Sequence, residues 1–169
     1  MQVYTVEKIE ALISCPKVVT DPPKKELKLE NGHFRNNLEL KSEDGELNFT
    51  VFIRINFDFP ENFSIGLEYW PKEERGSICL LRCNGPHGEF VSSFDLPMTH
   101  FVHHIHKAKP ENIEAGLRAE KGGEPTNGYG SYDQALSYFC QVINLKNVDQ
   151  YFPRKVQMPL DFASEGGTT

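Results

Sequence analysis

Asp44-Gly45 lies between two runs in which apolar and polar residues alternate, and this dipeptide constrains the fold more than any other feature of the chain. A two-residue turn of this type takes positive φ at its central positions and matches the twist of the strands it joins. It also sets their register. Leu40 then faces Phe49 and Leu38 faces Val51, with Leu47, Ile53, Ile55 and Phe57 on the same side of a strand from Leu47 to Phe57. A slip of one residue would turn all of these side chains to water, so the hairpin predicts the core face of an antiparallel sheet.

Other runs extend that sheet. Short alternating segments fall at Glu26-Leu27-Lys28-Leu29 and from Phe34 to Ser42, and Phe63, Ile65, Leu67 and Tyr69 alternate in a strand from Phe63 to Trp70. Ser77 to Cys83 is apolar on both faces, as a central strand is. Met98 to His106 reads as a further strand. Thr5 is suited to cap a short helix from Val6 to Ile13, which Cys15-Pro16 ends ahead of the loop Thr20-Asp21-Pro22-Pro23. Ser131 opens a stronger helix, in which Tyr132, Ala135, Leu136, Phe139, Val142 and Ile143 recur at three and four. Residues 107–130 are rich in glycine and proline and read as a long loop with one helical turn from Glu111 to Leu117. The expected architecture is therefore α+β. A single domain over residues 1–160 would hold a mainly antiparallel sheet of roughly five to seven strands. The helix from Ser131 to Leu145 would pack on its core face beside a short N-terminal helix, and residues 161–169 would form a disordered tail.

The chain has 169 residues, 18 basic and 24 acidic, for a net charge of −6. Such a balance favours solubility and disfavours a broad groove for nucleic acid, while leaving room for a small catalytic site. Glu7, Lys8 and Glu10 interrupt any signal-peptide core near the amino end, and no run approaches a membrane span, so the expected location is the cytoplasm, with no membrane association. Cys15, Cys79, Cys83 and Cys140 form no CxxC pair. Cys79 and Cys83 would lie about 13 Å apart on one strand, beyond the reach of a disulfide, and read as small buried apolar residues.

Chemistry concentrates in His100-Phe101-Val102-His103-His104-Ile105-His106. On a strand, alternate residues share a face, which groups His100, His104 and His106 with Val102 and sends His103 to the apolar side. An HxH pair is the minimal strand geometry that presents two imidazoles to one phosphate or one metal ion. His87, in the turn Asn84-Gly85-Pro86-His87-Gly88, is able to fold back over the sheet, and Arg82 just before it is suited to an anion. The pair His104 and His106 reads as a metal-free acid and base, with His87 and Arg82 as helpers and no cofactor. The competing reading makes these histidines ordinary polar residues of an exposed sheet face. His33, after Asn31-Gly32, marks a turn. Gly128-Tyr129-Gly130-Ser131 lacks both the dinucleotide fingerprint and the P-loop lysine, and reads as the entry to the last helix.

Leu80-Leu81-Arg82-Cys83-Asn84-Gly85-Pro86-His87, then His104-Ile105-His106, then the helix ending Ser137 to Leu145, resemble small bacterial proteins grouped as domain-of-unknown-function family 6978. The resemblance covers residues 37–145. More distantly the layout is similar to TumE-type toxins of toxin–antitoxin pairs, which carry an HxH-like segment on a small sheet with a packed helix. That resemblance implies His104 and His106 as the site positions, with His87 and Arg82 beside them. Two functions follow as expectations. In the first, the protein is a small metal-independent phosphodiesterase directed at RNA, in a toxin–antitoxin or phage-defence system, with an antitoxin or target protein as partner. In the second, it is a non-catalytic interaction or inhibitor protein encoded by a phage or mobile element, binding its partner through the acidic surface or an edge strand.

Overall fold

The computed structural model describes residues 2–21, 27–88 and 99–151. Helix α1 (Val6–Ser14) is followed by strands β1 (Lys17–Asp21), β2 (Lys28–Glu30), β3 (His33–Ser42), β4 (Asn48–Asn56), β5 (Phe63–Trp70) and β6 (Ile78–Asn84). A 3-10 turn at Thr99–Phe101 leads into β7 (His104–Lys107), α2 (Pro110–Glu114), β8 (Gly123–Pro125), α3 (Tyr132–Val142) and α4 (Val148–Tyr151). The strands form one antiparallel sheet in the order β1-β3-β4-β5-β6-β7-β8, with β2 also paired to β3. Its eight strands include two that local pattern did not show. β1 forms within residues expected to end a helix and begin a loop, and β8 comes from the glycine-rich stretch expected to be all loop. The expected tail at 161–169 and the domain limit at 160 fall outside the described residues.

The Asp44-Gly45 hairpin has the predicted register, with Leu40 opposite Phe49 and Leu38 opposite Val51. Gly45 takes φ of 78°, but Asp44 does not share the positive φ, and the Gly45 amide donates to Ser42 (2.8 Å) inside a loop closed by the Ser42 amide on Leu47 (3.0 Å), so the turn is longer than the two residues expected. Leu38, Val51, Leu67 and Leu81 follow one another across four strands, and Ile53, Ile65, Cys83 and Ile105 form a neighbouring row. Both rows belong to the core face. Helix α1 packs on β6, and α3 packs on β5 and β6. Thr5 caps α1 by accepting from the Lys8 amide, and Ser131 caps α3 by accepting from the Gln134 amide. Phe139 and Ile143 of α3 and Ile9 and Ile13 of α1 are buried against the sheet, each worth about 1.5–3 kcal/mol relative to exposure.

One cation lies inside this apolar layer. Lys17 is 0 % exposed, and its ammonium donates to the carbonyls of Ile13 (2.7 Å), Cys15 (2.9 Å) and Ile143 (3.2 Å) while lying over the Phe49 ring. These carbonyls come from the carboxy ends of α1 and α3, where helices leave acceptors unsatisfied and where a positive charge is favoured.

The opposite face reads differently along the same strands. Asn37, Phe52, Gly66, Arg82 and His106 form one cross-strand row, and Arg35, Arg54, Ser64, Asn84 and His104 form the next. Gly66 is required here, because a Cβ would stand 2.1 Å from the Phe52 ring that lies across it. No helix among the described residues is long and apolar enough to cross a membrane.

Candidate functional site

Arg82, His104 and His106 hold their expected strand positions and His87 its turn, and a fourth histidine, His100, arrives by a route the alternation did not predict. His104 and His106 sit on β7, side by side on the face away from the helices, in register with Asn84 and Arg82 of β6. The strand is shorter than expected, however. His100 belongs to the 3-10 turn and not to a strand running through residues 98–106; Met98 lies outside the described residues. The backbone amides of both His87 (2.8 Å) and Gly88 (2.9 Å) donate to the carbonyl of His100. That carbonyl is therefore spent on the β6–β7 connection instead of a neighbouring strand.

Gly85 lets the other side of the connection approach. Its amide donates to Phe63 (3.0 Å), and a Cβ there would lie 1.8 Å from the carbonyl of Glu61. The close pass bends the chain after β6 and brings His87 back over β7. As a result His87 and His100 share a contact between Nε2 and Nδ1 of 2.9 Å. The ring of His104 stands 5.1 Å from that of His87 and 4.9 Å from that of His100, centroid to centroid. One ring nitrogen from each of the three lies within 4.8 Å of the others. His106 is adjacent, its ring 5.2 Å from His104 and 6.1 Å from His100.

Carbonyl contacts orient two of the rings. His104 Nδ1 lies 2.8 Å from the carbonyl of Val102, which assigns the proton to Nδ1 and leaves Nε2 as a lone pair, 3.3 Å from the Asn84 amide nitrogen. Asn84 is held in turn by the Ser64 hydroxyl at 2.8 Å from its Oδ1. His106 Nδ1 lies 3.2 Å from the carbonyl of Glu120. From the helix side, the Tyr129 hydroxyl lies 2.7 Å from the carbonyl of His104 and 3.1 Å from that of Asn84, sharing one proton across the β6–β7 pair. His103 faces that side, against Phe63 and Tyr129, as expected.

Burial is the main departure from the sequence reading. Far from lining an exposed sheet face, His104 is 0 %, His106 4 % and His100 6 % exposed, and His87 is half-buried. Removal from water pushes the pKa of His104 down from 6.5 to about 4, with its Val102 contact opposing and the neighbouring His87, His100 and Arg82 adding to the fall. His104 is therefore neutral at pH 7, suited to accept a hydrogen bond or ligate a metal and poorly suited to act as an acid. That revises the expected acid-and-base pairing of His104 with His106.

Arg82 follows a different course. It neighbours His106 across the strands, yet its Nη1 lies 3.9 Å from the carboxylate of buried Glu120, which also pairs with Arg118. The Arg82 Nε is buried and finds no hydrogen-bond partner among the described residues. A cavity of about 410 Å³ opens beside it, lined by Arg54, Glu68, Cys79, Arg118 and Glu120 among others. Within it burial raises the Cys79 thiol to about 12, so it is no thiolate nucleophile. Glu120 and Asn84 were not legible as site residues. Glu120 lies in a loop with no local signal, and only the folding of residues 115–121 over the sheet brings it in; Asn84 is marked solely by its place at the strand end before Gly85-Pro86.

Family models, curated proteins and solved structures offer no match to this chain.

Proposed function

We propose that the protein is a small phosphodiesterase directed at RNA, of the kind used in toxin–antitoxin or defence systems, with the covered histidine face as its centre. The observation that carries this reading is the gathering of three buried imidazoles, His100, His104 and His106, with half-buried His87 and Arg82 on the sheet face that the hydrophobic core does not use. Polar groups gathered out of water weaken a fold unless something compensates them, and such clusters occur where chemistry is done. Arg82 brings a charge matched to a phosphate and a buried donor with no partner among the described residues. The imidazoles are the groups that activate the attacking hydroxyl or water. The resemblance of Leu80 to His87 and of the HxH strand to family 6978, and more distantly to TumE-type toxins, supports the same reading.

The test is induced expression of wild type and of a His104→Ala, His106→Ala double variant in a bacterial host, following growth and RNA integrity together. Wild type should slow growth and cleave RNA, and the variant should lose at least about 100-fold of the cleavage rate. Intact RNA and unchanged growth with wild type would sink the reading.

A second reading, a protein that holds a partner without catalysis, has one specific observation behind it. Leu29, Phe57 and Phe59 are exposed at the far end of the sheet, where Phe34 joins Leu29 across β2–β3 and stacks on Phe57 at 5.6 Å. An apolar patch of this kind fits a protein partner such as an antitoxin.

A further inference from the structure

We infer that His87, His100 and His104 form a binding site for one divalent transition-metal ion of the zinc type, the three imidazoles being the ligands that the described residues supply. This deepens the phosphodiesterase reading by giving its centre a metal, in place of the metal-free pair expected from sequence, and it rests on that reading only for its purpose.

The geometry comes first. Zinc binds imidazole nitrogen at about 2.0–2.1 Å with tetrahedral angles, which puts ligand nitrogens about 3.3 Å apart. His87 Nε2 and His100 Nδ1 already lie 2.9 Å apart, and all three ligand nitrogens fall within 4.8 Å. Closing them on an ion needs movements of about an ångström, within reach of ring rotation.

The surroundings point the same way. A ligating histidine characteristically donates its other ring N–H to a carbonyl or carboxylate, which fixes the tautomer and aims the lone pair. His104 has this arrangement, Nδ1 to the Val102 carbonyl, and its Nε2 lone pair, which faces the Asn84 amide nitrogen at 3.3 Å, becomes the ligand atom when an ion displaces that contact. The three residues come from the turn after β6, the 3-10 turn and β7, and the two amide donations to the His100 carbonyl tie the first two of these segments together. That is a preorganised set of nitrogen donors. Neutral imidazoles suit zinc, nickel, copper and cobalt in preference to magnesium or calcium, which take oxygen. Among the described residues three histidines converge, the number of protein ligands that a catalytic zinc site takes. His106 stands beside the triad, its ring 5.2 Å from that of His104.

The experiment uses the full chain, purified without a polyhistidine tag and stripped with a chelator. Zn²⁺ binding is then measured by calorimetry, and Co²⁺ substitution by visible absorption. One ion per chain is expected, with Kd below about 1 µM and the intense visible bands of a tetrahedral cobalt site. His87→Ala and His100→Ala should each weaken binding by at least about 100-fold, whereas His103→Ala should leave it within about threefold. Thermal unfolding of each stripped variant confirms that it is folded, and the half-buried His87 provides the substitution least costly to the fold. A stoichiometry near zero, an octahedral cobalt spectrum, or affinity unmoved by the His87 and His100 variants would overturn the site. The two proposals fail separately. Tight binding without RNA cleavage defeats the phosphodiesterase and leaves the metal site, and RNA cleavage by a protein whose metal stoichiometry is near zero defeats the metal site and leaves the phosphodiesterase.

Discussion

Over β6 and β7 both faces of this sheet are buried, while toward β3 the polar face opens to solvent at Asn37, Glu39 and Lys41, and the two faces are built on opposite principles. Under α1 and α3 lie apolar rows such as Leu38, Val51, Leu67 and Leu81, and the one charge among them, Lys17, has three carbonyls around its ammonium. Under the 3-10 turn and the loop carrying Glu120 lie His104, His106 and Arg82. The first face gains free energy from burial; the second gives some up, since desolvated imidazole and guanidinium repay little unless a ligand completes them. Burial alone therefore does not separate structure from function. What separates them is whether the polar group's bonding is completed by the fold, as at Lys17, or includes a buried donor without a partner among the described residues, as at Arg82 Nε.

The comparison breaks most visibly on the helix side. Phe139→Ala should cost about 3–5 kcal/mol in chemical denaturation, with zinc affinity of the folded protein unchanged. A loss of metal affinity comparable to a histidine deletion would mean the faces are not separate. Next comes Lys17→Met, which keeps the aliphatic stem but strips three buried carbonyls of their donor. It should cost about 2 kcal/mol, and a neutral outcome would reduce Lys17 to a spectator.

Acidification probes the polar face in the metal-free protein. His104 holds a pKa of about 4 when folded against 6.5 in the open chain. Between those values the unfolded chain takes up a proton that the folded one refuses. Stability should thus be greatest above pH 6.5 and fall as the pH drops to about 4, by on the order of 1–2 kcal/mol once partial screening is allowed for. His104→Asn should remove that slope, and an equal slope in the variant would assign it elsewhere. The smallest effect on the fold should come from His87→Ala, below about 1 kcal/mol by thermal unfolding. Its effect on RNA cleavage should be near complete, a split that no residue of the helix face should show.

The hairpin half of the molecule was legible because its information is local. Asp44-Gly45 marks the place of the turn though not its length, and alternation does the rest through Ile55, so register and core face follow from neighbours in the chain. His104 and His106 were legible for the same reason. His100 reached the site through hydrogen bonds to a loop thirteen residues away, and a strand pattern has no means of anticipating that. Glu120 and Lys17 were hidden more completely. Each is a charged residue whose burial depends on partners remote in sequence, and local propensity favours leaving such residues in solvent. β1 formed because Lys17 and its neighbours pair with Leu40 to Ser42 of β3 and bridge to Leu145, tertiary pairing that overrides a loop-like sequence.

Lys17 also bears on how the chain reaches its fold. Its ammonium joins the end of the first helix to Ile143, 126 residues further on, while its backbone accepts from Lys146 and donates to Asn144. Contacts of such high contact order are made late and slow a folding reaction, because the whole intervening chain must be ordered before they form. The two ends should consequently lock together in a single cooperative step after the central hairpin is in place, and neither half released by a nick between β6 and β7 should complete that lock by itself.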